Sequence, residues 1–267
     1  MNNKPIPYCR VIMKVGGSVV TLNSNKPNKD NINRIAHEVV QCSPNGAGIV
    51  IVHGGGSYTK GVLVRNNMLD NYFNQHQLHI VTEFRQVIKN LSEEIIKSFA
   101  TVGIKAYTDN VSTLFVSDNG RIISCDILKI RDLLSKGLVI LHGDVLVDKS
   151  RQYYACSGDQ VVSYLSRVVK PETVLFLTDV DGVYKNYPPQ TPSADPLPFI
   201  TPECIAELSS RSVYKVGFGD MAGKLTEAMR CVYFSNNCYI MNGFRYGNIT
   251  NAIQQKIFSG TRVLGWS

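Results

Sequence analysis

The sequence predicts an α/β protein with a largely parallel sheet covered by helices on both faces. Short runs rich in valine and isoleucine alternate along the chain with longer segments of helical period. Glycines follow two of the predicted strands directly, at Gly16 and Gly17 and at residues 54–56. In an open parallel sheet, ligands bind outside the carboxyl ends of the strands, so these loops also locate the expected binding site.

The first elements follow from apolar patterning near the start of the chain. Residues 10–15 are largely apolar and are predicted to form a strand. Residues 30–41 place apolar side chains on one face at helical spacing, which predicts a helix with Asp30 as its N-cap. Residues 48–53 are predicted to form a buried strand, because their apolar run is short and rich in valine and isoleucine.

The rest of the chain continues the same alternation. A helix is predicted around residues 84–99, and residues 121–124 are predicted to be one arm of a hairpin because they follow the turn sequence Asp118-Asn119-Gly120. Further apolar runs predict strands at residues 138–142, 174–178 and 238–241. The segment 185–202 contains six prolines and is expected to be a surface excursion.

Length and composition limit the architecture and the class of function. With 267 residues, 44% of them hydrophobic, the chain can bury a continuous sheet core as one large domain or two fused lobes, with a soft boundary near residue 170. The seven scattered cysteines predict reduced thiols. We expect a cytoplasmic protein with no membrane contact, because no signal-peptide core or membrane-spanning apolar run occurs. The net charge of +7 is dispersed, which favours anionic metabolites over nucleic acid as partners.

Two glycine loops are the candidate phosphate-binding segments. Lys14-Val15-Gly16-Gly17-Ser18 ends the first strand, where backbone N–H groups can face an anion and the lysine adds a positive charge, although a purely structural turn has the same sequence character. His53-Gly54-Gly55-Gly56-Ser57 ends another strand and precedes a predicted helix. Three consecutive glycines indicate that a ligand approaches the backbone closely, and we expect a positive φ at Gly55.

A third cationic element is predicted at the start of a late helix. The sequence Gly217-Phe218-Gly219-Asp220-Met221-Ala222-Gly223-Lys224 opens this helix. The partial positive charge of the helix N-terminus and the ammonium group of Lys224 can together stabilise a phosphate. The alternative is an ordinary capped helix with an exposed lysine. The segment does not match the G-x-x-x-x-G-K-[ST] nucleotide loop, because Leu225 follows Lys224.

Lys14 and Lys224 are the candidate catalytic cations, because phosphoryl transfer depends on positive charge held around the moving group. Ser157-Gly158-Asp159-Gln160 begins another predicted helix. Its Asp159 is either a simple helix cap or the carboxylate that orients the two lysines. The segment from Thr178 to Tyr184 follows a strand, and its carboxylates and turn suit contacts to a nucleotide.

Taken in order, KVGGS, HGGGS, HGD, SGDQ, TDVDGVY and GDMAGK, with the closing NG and GTRV, resemble the amino acid kinase superfamily. LVILHGDVLVD, CSGDQVVSYL and FLTDVDGVY are most similar to isopentenyl phosphate kinases, with fosfomycin kinases as near relatives. The resemblance covers nearly the whole chain. It implies one domain with an open αβα sandwich, in which residues 1–170 bind the acceptor and residues 171–267 bind ATP with Mg²⁺. It also implies a homodimer.

The resemblance assigns roles to individual positions. Lys14 and Lys224 match the phosphate-clamping lysines, and Asp159 matches the carboxylate that organises them. The nucleotide-binding positions that it implies are Gly16, Gly17, Ser18, Thr178, Asp179, Asp181, Gly182, Tyr184, Gly219 and Lys224. The acceptor-binding positions are Gly54, Gly55, Gly56, Lys60, Ser157 and Gly158. No residue is assigned as a metal ligand, because nucleotide phosphates and water largely hold Mg²⁺ in such sites.

Two departures from the isopentenyl phosphate kinases bear on the acceptor, and a third difference precedes the final lysine. Lys60 stands where they have the histidine that holds the acceptor phosphate, Asn23 stands where they have a lysine, with Lys26 nearby, and residues 218–221 replace their Thr-Gly-Gly-Met. The leading hypothesis is a kinase of isopentenyl phosphate in which Lys60 anchors the phosphate rather than being a solvated helix residue.

Two other functions remain open at this point. One is a kinase of another small acceptor, such as a phosphonate like fosfomycin, a carboxylate or an alcohol. The other is a nucleotide-binding regulator that has lost turnover. The combination of Lys14, Asp159 and Lys224 favours a kinase, because a pure binding module does not need all three.

Overall fold

The computed structural model describes residues 9–22, 26–68, 72–185, 195–210 and 221–265. The strands in these ranges are β1 Val11–Val15, β2 Thr21–Leu22, β3 Lys26–Pro27, β4 Ile49–His53, β5 Tyr72–Phe73, β6 Ala106–Tyr107, β7 Phe115–Asp118, β8 Arg121–Cys125, β9 Leu138–His142, β10 Asp144–Asp148, β11 Gln152–Cys156, β12 Thr173–Thr178, β13 Phe199–Ile200, β14 Asn237–Asn242 and β15 Thr261–Val263. The helices are α1 Gly17–Val20, α2 Lys29–Cys42, α3 Gly56–Arg65, α4 Leu78–Thr101, α5 Val111–Leu114, α6 Ile127–Lys136, α7 Gly158–Val169, α8 Pro202–Ser210, α9 Met221–Cys231 and α10 Asn248–Ile253, with a 3₁₀ turn at Gln75–Gln77.

The main sheet has eight strands in the order β13-β15-β14-β12-β1-β4-β9-β6. Every pair from β14 to β6 is parallel, and β15 joins the edge antiparallel to β14. The predicted α/β class with a largely parallel sheet is therefore confirmed. Parallel strands need crossover connections, which explains the alternation of strand and helix along the sequence.

Both faces of the main sheet are buried, as a parallel sheet requires. Along β1, Ile12 packs into the apolar cluster on one face, whereas Met13 and Val15 pack into the cluster on the other. The first face is covered by α7 and α9, which supply Val162 and Leu225. The second face is covered by α2, α4 and α10. The result is the three-layered αβα arrangement that the resemblance implied.

A second sheet of five strands lies beside the main one, in the order β5-β11-β10-β7-β8. Its β7–β8 hairpin is the one that the Asp118-Asn119-Gly120 turn predicts, with Asp118 paired to Arg121. Asn119 and Gly120 both have positive φ, 46° and 75°, which is why a turn of this composition forms here. Strands β2 and β3 form a separate two-stranded ribbon.

One predicted helix start is wrong. The N-cap of α2 is Asn28, whose side chain accepts a hydrogen bond from the backbone N–H of Asn31 at 3.3 Å. Asp30 lies inside the first turn instead, where its charge still favours the helix N-terminus. Sequence pattern alone could not separate the two positions, because Asn and Asp are equally good caps.

Two further predictions concern the later part of the chain. Residues 186–194, half of the proline-rich segment, lie outside the described ranges, and the described part of it includes the short strand β13. The division into lobes near residue 170 stays a prediction. Helix α7 ends there, with Lys170 in the left-handed region at a φ of 48°. No helix within the described ranges is long and apolar enough to cross a membrane.

Candidate active site

The strand register brings the two glycine loops to the same level. Val15 at the end of β1 pairs with His53 at the end of β4 and with Leu177 in β12. The residues that follow β1 and β4 extend this pairing. The N–H of Gly16 donates to the carbonyl of Leu177 at 2.8 Å, and the N–H of Gly54 donates to the carbonyl of Val15 at 2.8 Å. The loops therefore lie side by side at the carboxyl edge of the sheet.

The two glycine loops pack backbone against backbone. A Cβ atom added at Gly17 would lie 2.3 Å from the nitrogen of Gly56, and one added at Gly54 would lie 2.8 Å from the nitrogen of Gly17. No larger residue fits at these positions without moving a main chain. Ser18 follows in α1, and only part of its surface is covered by the protein.

The positive φ that we expected at Gly55 occurs one residue later. Gly55 has a φ of −84°, whereas Gly56 has a φ of 53°. Gly55 is nevertheless confined, because a Cβ atom there would lie 2.2 Å from Oγ1 of Thr59. The prediction for Gly55 was wrong because consecutive glycines give no sequence signal for which of them carries the left-handed conformation.

Three charged side chains meet next to the loops. Lys14 on β1 and Lys224 on α9 both place Nζ close to the same oxygen of Asp159, at 3.2 and 3.1 Å. All three residues are buried, with 5%, 6% and 3% of their surfaces exposed. The N-cap of α7 is Ser157, whose hydroxyl oxygen accepts from the N–H of Gln160 at 3.2 Å. Asp159 is thus not the helix cap, and Lys224 is not an exposed surface lysine.

Burial and mutual charge set the protonation of this group. Burial lowers the pKa of Lys14 to about 8; the carboxylate of Asp159 opposes this shift and the ammonium of Lys224 adds to it. Burial alone would raise the pKa of Asp159, but the two lysines overcome that effect and hold it below its usual value. Two ammonium groups and one carboxylate leave one positive charge uncompensated, which an incoming anion can satisfy.

Gly158 makes room for the Lys14 side chain. A Cβ atom at Gly158 would lie 2.8 Å from Cε of Lys14. The structure therefore places Gly158, a predicted acceptor-binding residue, against the stem of the lysine, at the start of the helix that carries Asp159. Any side chain at this position would push the ammonium group away from its carboxylate.

The predicted nucleotide segment follows β12 at the same sheet edge. The carbonyl of Thr178 accepts from the N–H of Gly243, at 2.7 Å, and its hydroxyl donates to Asp179. Asp181 accepts from Nδ2 of Asn242 at 2.8 Å and from Nη2 of Arg245 at 2.7 Å. Sequence reasoning missed Arg245, because nothing in its local sequence links it to a carboxylate 64 residues earlier.

Two other predicted nucleotide positions pack into the protein. A Cβ atom at Gly182 would lie 2.5 Å from Oγ1 of Thr261, the buried threonine of the closing GTRV segment. Tyr184 is 8% exposed. Gly219 and Asn23 lie outside the described residues.

Lys60 lies exposed on α3, four residues after Gly56. This helix begins at the last glycine of the second glycine loop. The next two apolar residues of that helix, Val62 and Leu63, are buried in a cluster with Phe84 of α4 and Val145 of β10. The second glycine loop is thus flanked by a cation on the outside and by apolar side chains on the inside.

Two buried histidines follow the same sheet edge. His53 hydrogen-bonds through Nε2 to the hydroxyl of Ser92 at 2.7 Å, and its ring centroid lies 5.6 Å from that of His142. Burial and the neighbouring His142 lower the pKa of His53 to about 3. Burial also lowers the pKa of His142. Both rings are neutral at physiological pH, as expected for buried structural groups.

Carboxylates, histidines and cysteines do not gather into a metal site in the part of the chain that the structure describes. None of these residues there forms a group of three or more that could hold one ion. The carboxylate nearest to the lysines, Asp159, is already engaged by both of them.

Comparison with known proteins adds an independent finding. A model of the amino acid kinase family matches residues 10–242. The chain is 31% identical over 267 residues to the isopentenyl phosphate kinase of Methanothermobacter thermautotrophicus, which covers 96% of this chain and 99% of that protein. It is 24% identical to the isopentenyl phosphate kinase of Methanocaldococcus jannaschii, over 94% of this chain and 97% of that protein. A crystal structure of isopentenyl phosphate kinase superposes with a TM-score of 0.77 at 28% identity, over 95% of this chain and 99% of that chain.

Proposed function

Because the chain belongs to the amino acid kinase family, we propose that it is an ATP-dependent kinase that phosphorylates isopentenyl phosphate to isopentenyl diphosphate. The observation that carries the proposal is the pair of ammonium groups on Asp159, beside two adjoining glycine loops. The names of the full-length relatives support the choice of acceptor.

The chemistry follows from where charge moves. A phosphate oxygen of the acceptor attacks the γ-phosphorus of ATP, the new P–O bond forms, and the bond to the β-phosphate oxygen breaks to release ADP. The nucleophile is already an anion, so no general base is needed, which agrees with two neutral, buried histidines at this edge. Catalysis then rests on positioning and on positive charge around the γ-phosphoryl group.

Each part of the site has a place in this reaction. Lys14 and Lys224 are proposed to contact the transferring phosphoryl group, and Asp159 to keep their head groups converged. The N–H group of Gly17 would face the nucleotide phosphates and that of Gly55 the acceptor phosphate, whereas the N–H groups of Gly16 and Gly54 already donate to carbonyls of the sheet. Mg²⁺, held by the ATP phosphates and water, would supply further charge neutralisation.

The surroundings of the second glycine loop support a phosphorylated hydrocarbon acceptor. The phosphate needs a cation that compensates its charge, and Lys60 is proposed to supply it from α3. The hydrocarbon tail needs apolar surface, and the inner face of α3, with Val62 and Leu63, belongs to an apolar cluster with Phe84 of α4. An ammonium group is compact and fully charged at neutral pH, so it can replace a histidine as an anion anchor.

Assembly and location belong to the same proposal. We propose that the protein is a cytoplasmic homodimer, with residues 1–170 binding the acceptor and residues 171–267 binding ATP. All seven cysteines are free thiols, which supports a reducing compartment. The second glycine loop falls in the first range and the Asp181 segment in the second, which supports the division of roles, with the first glycine loop reaching the nucleotide phosphates from the first range.

An acceptor screen tests the proposed function. ATP consumption is measured with isopentenyl phosphate, dimethylallyl phosphate, fosfomycin and glutamate, and the product is identified by mass spectrometry. We expect isopentenyl phosphate to give the highest kcat/KM, with the mass of a diphosphate as product. Faster turnover with fosfomycin or glutamate would show that the kinase acts on that acceptor instead. No turnover with any acceptor would favour a nucleotide-binding regulator.

A further inference from the structure

The carboxylate of Glu227 lies three residues after Lys224 on α9 and is the centre of a hydrogen-bond network. Arg121 donates to both oxygens, from Nη1 to Oε1 at 2.5 Å and from Nη2 to Oε2 at 3.2 Å. The hydroxyl of Ser163 on α7 donates to Oε2, and Nη1 of Arg230 donates to Oε1 at 2.7 Å. Only 6% of the Glu227 surface is exposed. Because a buried carboxylate is stable only with its partners in place, the network favours one position of α9.

The hairpin that carries Arg121 is fastened next to Asp159. The side-chain oxygen of Gln160 accepts from the N–H of Ile122 at 2.9 Å, and its amide nitrogen donates to the carbonyl of Gly120 at 3.1 Å. These backbone groups flank Arg121 on both sides. Gln160 is the immediate neighbour of Asp159 on α7, so the arginine is held relative to the helix that carries the carboxylate of the site.

The connections form a closed circuit. It runs from Asp159 along α7 to the β7–β8 hairpin, across the Arg121–Glu227 pair to α9, and back through the 3.1 Å contact between Lys224 Nζ and Asp159 Oδ1. Lys224 and Glu227 are nearly one turn apart on the helix, so a shift of α9 moves both. We propose that Glu227 and Arg121 are positioning residues that hold the ammonium group of Lys224 in the site, an inference that rests on the proposed phosphoryl transfer.

A lysine in this place needs such support. Its stem is a flexible four-carbon chain. Among the described residues, its ammonium group contacts one carboxylate oxygen, which Lys14 also uses, and lies 5.7 Å from the ring centroid of Phe176. The two ammonium groups repel each other, so Lys224 moves away from the shared oxygen unless the backbone of α9 is held. A misplacement of about 1 Å at a reacting centre can lower turnover by about a hundredfold.

The matched control for the proposal is Arg230. It contacts the same carboxylate as Arg121 and is exposed to a similar degree, with 46% and 44% of the two side chains accessible. It lies on α9 itself, so it cannot fix the helix against another element. The proposal therefore predicts a loss of kcat in Arg121→Met that is absent in Arg230→Met, although each variant removes one positive charge that contacts Glu227.

The first measurement is steady-state kinetics on the full chain, with a melting curve for each variant. We expect kcat to fall about tenfold or more in Glu227→Gln and in Arg121→Met, since both release α9. Arg121→Lys, which keeps the charge, should recover part of the loss. Arg230→Met should stay within about twofold of the wild type, as expected for a half-exposed pair.

The second measurement is a pH profile, which a purely structural role would not shift. The alkaline limb of kcat/KM for ATP reports the free enzyme, where Lys14, whose pKa is about 8, faces Asp159, Lys224 and His53. Displacing Lys224 removes a nearby positive charge, so the limb should move to higher pH in Glu227→Gln. Loss of the negative charge of Glu227 would by itself lower the pKa of Lys14, so it cannot produce a shift of the limb to higher pH.

The outcomes separate the alternatives. A kcat in Glu227→Gln within twofold of the wild type overturns the proposal, as do equal losses in Arg121→Met and Arg230→Met. If kcat falls in Glu227→Gln but the alkaline limb of kcat/KM for ATP does not move, the network contributes to stability alone. That result also overturns the proposal. The pH series is repeated for ATP binding by calorimetry, which uses no acceptor, so a wrong acceptor in the proposed function leaves this comparison intact.

Discussion

At the scale of single residues, the feature that defines this site is one carboxylate oxygen shared by two ammonium groups. Lys14 and Lys224 approach Oδ1 of Asp159 at 3.2 and 3.1 Å in a buried environment. The carboxylate compensates only one of the two positive charges. Burying the other is costly without an anion nearby, which supports the proposal that the site binds phosphate and stabilises a phosphoryl group in transfer.

Removing either lysine should reduce turnover while the fold is retained. We expect Lys14→Ala and Lys224→Ala each to lower kcat by about a hundredfold or more, because each removes a fixed charge from the transferring group. Kinetics and a melting curve are measured on each variant. Lys136→Ala, which removes an exposed lysine paired with Asp132, is the control. Near-normal turnover in either site variant would remove that lysine from the mechanism.

Lys60 is the residue on which the choice of a phosphorylated acceptor depends. We expect Lys60→Met to raise the KM for isopentenyl phosphate about tenfold or more and that for ATP little, because the charge lies beside the acceptor loop only. Lys60→His should keep part of the activity and lose it as the pH rises above about 7, where the imidazole loses its proton.

The control for this substitution is Lys97→Met, which removes an exposed lysine on α4 that pairs with Glu94. It should leave both Michaelis constants unchanged. Equal acceptor KM values in the wild type and in Lys60→Met would show that Lys60 is a solvated helix residue. The anchor for the acceptor phosphate would then have to lie elsewhere around the second glycine loop.

At the scale of elements, the two glycine loops act as one unit because they touch through their main chains. We expect Gly17→Ala to weaken ATP binding strongly, since the added Cβ would lie 2.3 Å from the nitrogen of Gly56 and must displace one loop. Calorimetry with ATP measures the effect. Gly265→Ala is the control, because its added Cβ would meet only Val232, at 3.4 Å. Unchanged ATP affinity in Gly17→Ala would separate the loop contact from nucleotide binding.

Local sequence signals were sufficient where the deciding interaction is local. The turn Asp118-Asn119-Gly120 predicted the β7–β8 hairpin, since the glycine adopts positive φ without a side-chain penalty. The same signals failed where neighbours in sequence compete. Asn28, rather than Asp30, caps α2, and Gly56, rather than Gly55, has the left-handed conformation. Those choices depend on how the chain arrives from the preceding element.

At the scale of the whole molecule, the buried histidines couple folding to pH. Burial lowers the pKa of His53 to about 3, whereas a histidine in the unfolded chain titrates near 6.5. Below about pH 6.5, His53 binds a proton in the unfolded state but stays neutral in the folded state. The free energy of unfolding that is present above that pH therefore decreases as the pH falls toward 3. We expect the melting temperature to fall progressively over this range.

A single substitution tests the origin of this acid sensitivity. His53→Gln keeps a hydrogen-bonding side chain of similar size and cannot be protonated, so its melting temperature should depend less on pH between 6.5 and 4 than that of the wild type. His37→Gln changes an exposed histidine on α2 and should leave the pH dependence as it was. Parallel curves for the wild type and His53→Gln would place the acid sensitivity in other groups.

The sequence by itself determined the fold class, and it marked the glycine loops and the lysines that are proposed to handle phosphate. Strand-to-helix alternation specifies a parallel sheet, and such a sheet collects the loops that follow its strands at one edge. Only the tertiary structure decided which charged groups pair with one another. Lys14, Asp159 and Lys224 are far apart in the chain, as are Arg121 and Glu227, and pairings over such separations come from packing, for which a single sequence has no local signal.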